Sequence, residues 1–143
     1  MTYQAIRALF EIPVIDAMAT MTDPVSVYVD NQAFTTNDSS IEYVLMRLDF
    51  GTTTEDVLQT SMENIKGSIV IEFYTSKDGG PARAQEVSAV IATALNGVGR
   101  TNGQPAVGAY GVVRSIVGPN FYALTDRPFY VARLSGAFMA GHR

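Results

Sequence analysis

The sequence predicts an α+β fold, a mostly antiparallel sheet covered on one face by two helices, with an extended hairpin arm. Three observations predict it. The run Gly67–Tyr74 alternates, with Ile69, Ile71 and Phe73 on one side and Ser68, Val70, Glu72 and Tyr74 on the other, the period of a half-buried strand. After the breaker Lys77-Asp78-Gly79-Gly80, the residues Val87, Val90, Ile91, Ala94 and Leu95 recur at the spacing of one helical face. The other β-like runs are separated by turn signals, and hairpin-joined strands with a few helices make a sheet-and-helix sandwich.

Residues 2–20 carry the first helical stripe, Ala5, Ile6, Leu9 and Phe10, with Ala17 and Met18 beyond Pro13. A proline there removes one hydrogen bond and crowds the preceding turn, which predicts a kink or a restart. Thr22-Asp23-Pro24 is a turn signal. Val25, Val27 and Val29 alternate with Ser26, Tyr28 and Asp30 as a strand, and Asn31–Ser40 is a polar loop. Ile41–Phe50 is the next strand, with Val44, Met46, Leu48 and Phe50 on one face. Leu45 among Tyr43, Arg47 and Asp49 indicates that the second face is partly covered as well.

Gly51–Lys66 has strand-like composition at Thr52-Thr53-Thr54 and Val57-Leu58 and no helical stripe. It reads as an arm joining two antiparallel strands, or as an extension of that hairpin, and it serves either as a partner-binding arm or as a long loop. Pro81 suits a helix start, and Asn96-Gly97 suits a left-handed helix end. Gly97–Gly111 holds five of the 12 glycines and reads as a loose connection. Val112–Val117 and Phe121–Leu124 are strand-like around a turn or bulge at 117–120. Phe129–Phe138 is the last strand, and 139–143 is expected to be a loose tail of one domain spanning 1–143.

A chain of 143 residues with 47% hydrophobic and 17% charged residues can bury a sizeable core. The formal charge is −4 and the arginines are scattered, which disfavours sequence-reading nucleic-acid binding. Cysteine is absent from the sequence, so disulfides, thiolate metal sites and thiol catalysis are excluded. No apolar run reaches the roughly 18 residues of a membrane span, and the start lacks a charged-then-apolar pattern. Both features predict a soluble protein made in the cytoplasm, with no membrane partner.

Chemistry finds little support. The lone histidine, His142, is penultimate, where nothing is expected to hold it in a catalytic or ligand geometry. Asp49 and Glu72 lie on strands and can share a face; close together they would do acid–base work or hold a hard cation, and apart they pair with Arg47 or Arg133. The 77–81 turn precedes a helix as phosphate-binding loops do, but it lacks their glycine–lysine pattern and carries Asp78. The sequence therefore predicts a protein that is not an enzyme and takes no metal or cofactor, and assembly is the better idea.

The segment Asp30-Asn31-Gln32-Ala33-Phe34, the strand Tyr43–Phe50, and Gly67–Tyr74 followed by Gly79-Gly80 together resemble the tail terminator proteins of long-tailed bacteriophages. The resemblance spans about residues 1–138, with Pro13 and the glycine-rich stretch after Leu95 departing from the pattern. It implies a structural virion protein at the junction of tail tube and neck. Such proteins form a ring, commonly a hexamer, that caps the tube, stops its polymerisation and offers a surface to neck or connector proteins. A contractile tail would add a sheath partner, and genomic DNA would pass through the lumen without sequence-specific binding.

The surfaces offered for subunit or layer contacts are then the edge strands, the arm, at Thr53, Thr54, Glu55, Asp56, Val57, Leu58 and Gln59, and the glycine-rich stretch, at Arg100, Asn102 and Tyr110. A negative subunit suits a lumen through which DNA slides, and a lumen lined with Lys and Arg would contradict that. Two other readings stay open: another neck or connector ring protein, and a small ligand-binding α+β module with a dry apolar pocket bordered by polar groups.

Overall fold

The computed structural model describes residues 3–30, 32, 34–55, 63–77, 79, 81–98 and 109–142. The elements run α1 (Tyr3–Ala19), β1 (Ser26–Tyr28), β2 (Tyr43–Glu55), β3 (Glu63–Ser76), α2 (Ala82–Gly97), β4 (Ala109–Ala123) and β5 (Phe129–His142). Their order is the one the sequence predicts. The five strands form one sheet in the order β1-β2-β3-β5-β4, with β1 parallel to β2 and every other pairing antiparallel.

Both helices cover the same face of the sheet. The alternation places Val44, Met46 and Leu48 of β2, Ile69, Ile71 and Phe73 of β3, and Ala132, Leu134 and Phe138 of β5 in one core. Above them lie Ile6, Phe10, Val14 and Met18 of α1 and Val87, Ile91 and Leu95 of α2. The α1 residues recur every four positions across Pro13, so the helix neither stops nor restarts there. Burial of that stripe on both sides of Pro13 outweighs the one hydrogen bond it forfeits.

Among the described residues, the second face is covered at one end only. Tyr43, Tyr74, Phe129 and Val131 form a separate buried cluster there, packed by Tyr28, Phe34, Leu45 and Leu124. Phe34, from the loop that the sequence marks as polar, stacks on Tyr28 at 4.4 Å and meets the edge of Tyr43 at 4.8 Å. Tyr43 in turn stacks on Tyr74 at 4.6 Å. The guanidinium of Arg127 lies 5.5 Å from the Tyr74 ring centre.

Two expectations about ends are corrected, for the tail and for Gly97, and two open alternatives resolve, as a hairpin extension at the arm and a bulge at 117–120. The last residues are no loose tail: Met139 pairs with Lys66 and Val112, Ala140 is fully buried, and β5 continues to His142 opposite Ala109. The arm is a continuation of the sheet as far as Glu55 opposite Glu63, with a register shift between Phe50 and Thr52. Gly97 does not take the left-handed conformation; α2 ends where Val98 turns extended and its N–H donates to the Leu95 carbonyl at 3.2 Å. The two late strand runs are one strand, β4, with register shifts between Val113 and Ser115 and between Val117 and Asn120. Gly118, at φ 102°, provides the backbone turn in the second shift.

Two local features lock this arrangement. Glu42, just before β2, accepts hydrogen bonds from Arg83 Nε at 3.1 Å and Thr75 Oγ1 at 2.6 Å, while Arg83 Nη2 donates to the Asp23 carbonyl at 2.9 Å. This joins α2 and β3 to the segments that enter β1 and β2. Replacing Arg83 by Met leaves the Glu42 carboxylate short of its main partner and is expected to cost about 1–3 kcal/mol in chemical denaturation. Gly67 leaves room for the Phe138 ring, which a Cβ there would approach to 2.6 Å. Gly67→Ala is therefore expected to destabilise by about 1–3 kcal/mol through overpacking, read from the urea midpoint.

Candidate assembly interface

The sheet rows define where the predicted contact residues fall. Thr53, Thr54 and Glu55 lie on β2 beyond the bulge, opposite Ile65, Asn64 and Glu63. Tyr110 lies on β4 opposite Gly141. One transverse row, Thr54–Asn64–Gly141–Tyr110, carries the arm and Tyr110 across four strands at the same end of the sheet. At strand spacing they stand about 14 Å apart. Asp56, Val57, Leu58, Gln59, Arg100 and Asn102 lie outside the described residues.

The bare part of the second sheet face carries the polar groups. Asp49 and Glu72 do share it, but Asp49 faces Ser68 and Glu72 faces Leu45, four positions along, which separates them by about 14 Å. They form no carboxylate pair. Asp49 lies 3.8 Å from Arg47, both exposed. Glu72 instead accepts from the Tyr122 hydroxyl at 3.0 Å and the Tyr74 hydroxyl at 3.3 Å.

Burial first, and then the Glu72 charge, push the Tyr74 hydroxyl well above the ordinary tyrosine range. Burial and the Glu72 hydrogen bond raise Tyr122 in the same direction. Both tyrosines therefore stay protonated donors at neutral pH, anchoring a carboxylate.

Among the described residues, no group of three or more His, Asp or Glu could hold a metal ion, and no buried side-chain nitrogen or oxygen lacks a partner. No described helix is long and apolar enough to cross a membrane. A shallow apolar depression of about 340 Å³ between α1 and α2 is lined by Ala17, Ala89, Val90, Thr93 and Ala94. The Thr93 hydroxyl donates back to the Ala89 carbonyl at 2.9 Å, so the depression lacks the convergent polar rim of a ligand pocket.

What the described residues present to other molecules is thus surface: two sheet borders, a half-bare sheet face and the outer flanks of the helices. The sequence offers edge strands for subunit contacts without saying which strands those are; the sheet order makes them β1 and β4. The class that the geometry defines is a five-stranded α+β sandwich with both helices on one face.

Solved structures share this fold over the whole chain. One carries no functional description; it matches at TM-score 0.68 and 18% identity, covering 100% of this chain and 96% of its own. Another belongs to the virion of a native gene transfer agent particle and matches at TM-score 0.50 and 14% identity, covering 99% of this chain and 98% of its own. No family model and no curated protein matches the sequence.

The tyrosine pair gives a pH signature. Folded-state values raised above the unfolded ones leave stability unaffected by these groups below about pH 10. Stability then falls as pH climbs above that value, where the unfolded chain alone releases the protons. Tyr74→Phe and Tyr122→Phe are each expected to flatten this alkaline decline, measured as urea midpoints at several pH values. Identical slopes in wild type and variants would contradict the assignment.

Proposed function

We propose that the protein is a structural virion component without catalytic activity: a tail terminator whose subunits close into a ring, a hexamer by the family resemblance. The ring caps the tail tube, halts its growth and presents its other face to neck or connector proteins, with genomic DNA passing through the lumen. The observation that carries this reading is the fold shared end to end with a chain of a gene transfer agent virion. The segments Asp30–Phe34, Tyr43–Phe50 and Gly67–Tyr74 support it independently through their resemblance to tail terminators. The dispersed carboxylates Asp49 and Glu72 and the rimless α1–α2 depression fit assembly better than turnover or small-molecule binding.

The test is native mass by size exclusion with light scattering, together with negative-stain microscopy. Rings of a defined mass, several times the 15.4 kDa subunit, are expected, and they are expected to stop tube elongation when added to polymerising tube protein. Rings that leave elongation unaffected would point instead to a neck or connector position.

A further inference from the structure

We infer that the bare part of the second sheet face is a docking surface for the phosphate backbone of duplex DNA, taken without regard to sequence. The inference rests on the virion reading above for the choice of DNA, and on strand register for the surface.

Register puts four cations on that face. Strand β3 pairs with β5 without interruption from Asn64 to Ser76, and Ile65, Ile69 and Ile71 point into the helix-covered core. Lys66 and Ser68 therefore point the other way, as do Arg133 and Ser135 on β5. Arg47 and Asp49 share that side of β2 with Tyr43 and Leu45 of the second-face cluster. Arg114 lies at the first register shift of β4, and its Nη2 reaches the Met139 sulfur at 3.9 Å. Met139, opposite Lys66, is on the same side. Arg47, Lys66, Arg114 and Arg133 are all exposed. At strand spacing they border an area about 14 Å wide and about 20 Å long.

The chain has 14 carboxylates against ten lysines and arginines, yet among the described residues the strands bring only Asp49 and Glu72 to this area. Arg47 lies 3.8 Å from Asp49 with both side chains more than half exposed, a pairing worth little in water. Glu72 is already held by the Tyr74 and Tyr122 hydroxyls. Lys66, Arg114 and Arg133 form no ion pair among the described residues. In the helix layer, by contrast, Arg7 is taken up by Glu11 and Asp30, and Arg83 by Glu42 and Glu86. The exposed carboxylates there, such as Asp16, lie behind the sheet by about the 10 Å thickness of a helix. That is about one screening length at 0.1 M salt, so a polyanion approaching the bare face meets the local cations and little of the net negative charge.

The floor between the cations decides the occupant. Ser68, Ala137 and Ser115 form one exposed row with Asp49, and Ser135 lies in the next. Such small side chains let a backbone approach, but they offer no buried anchor of the kind that dominates protein–protein affinity. The exposed large apolar side chains of this face, Val117 and Tyr122, stand on the edge strand β4, outside the floor. Bases find no stacking platform either, because Tyr43, Tyr74 and Phe129 are buried, packed by Phe34 and Tyr28. Backbone contact remains, and three of the four cations are arginines, whose planar forks suit phosphate oxygens. A duplex carries one charge per ~1.7 Å of axis, so about 20 Å of it offers about a dozen phosphates. The face thus departs from the acidic lumen expected from net charge alone.

Fluorescence anisotropy of labelled mixed-sequence duplexes with the full chain tests this, with salt varied from about 50 to 200 mM. Wild type is expected to bind unrelated sequences equally and to weaken as salt rises. Lys66→Gln/Arg114→Gln is expected to keep native circular dichroism and to bind more weakly. It is also expected to lose about tenfold less affinity across that salt range, as two phosphate contacts fewer requires. Lys77→Gln removes an exposed cation beyond the end of β3 and is expected to bind within about twofold of wild type. Absence of binding at the lowest salt, or equal weakening by Lys77→Gln, overturns the inference. Polyglutamate that displaces the label as readily as unlabelled duplex at matched charge assigns the face to an acidic protein instead. Tighter binding of single strands than of duplex overturns it as well. Light scattering on the same samples separates the two readings: duplex binding through these residues by a protein that forms no ring retains this inference and overturns the ring.

Discussion

The register of β3 is the constraint on which everything else depends. Its alternation sends Ile69, Ile71 and Phe73 under the helices and Tyr74 into the aromatic cluster on the opposite face. A slip of one residue would exchange these sets, burying Glu72 beneath α2 and exposing Phe73. Both neighbours reinforce the setting, because Val44 and Ala132 flank Phe73 while Met46 and Leu134 flank Ile71. Gly67 then fixes the far end, where only a residue without a side chain fits beneath Phe138.

This arrangement makes a body with one dry face and one divided face. The helices close the first completely. The loop carrying Phe34 closes only the Tyr43–Tyr74–Phe129 end of the second, leaving Arg47, Asp49, Ser68 and Arg133 in solvent. Polar groups that elsewhere might be gathered for chemistry are spread along the strands or tied to tyrosines.

Much of this outline was legible in the residues. Element order, strand faces and helix stripes follow from periods of two and near four, which local burial enforces. The misses share a physical origin in contacts distant in sequence. Pro13 lies inside one helix because Phe10 and Val14 are both held by the sheet core. Residues 139–142 are ordered as strand because Lys66 and Val112 pair with Met139, which Gly141 in the local sequence obscures. Phe34 looked like a solitary aromatic in a polar loop until Tyr28 and Tyr43 were brought beside it. Of the candidate contact residues, Thr53–Glu55 and Tyr110 fall at the same end of the sheet, on β2 and β4, a placement that pairing across β3 and β5 decides and local sequence does not.

The two register shifts in β4 bear on how the subunit survives before it is used. A straight edge of fifteen residues would invite fibrous stacking. Each shift bends the strand and breaks the even ladder of donors, and Pro119 removes one donor outright. Only short stretches of that edge can template a neighbour, so the strand resists open-ended stacking without giving up its place in the sheet.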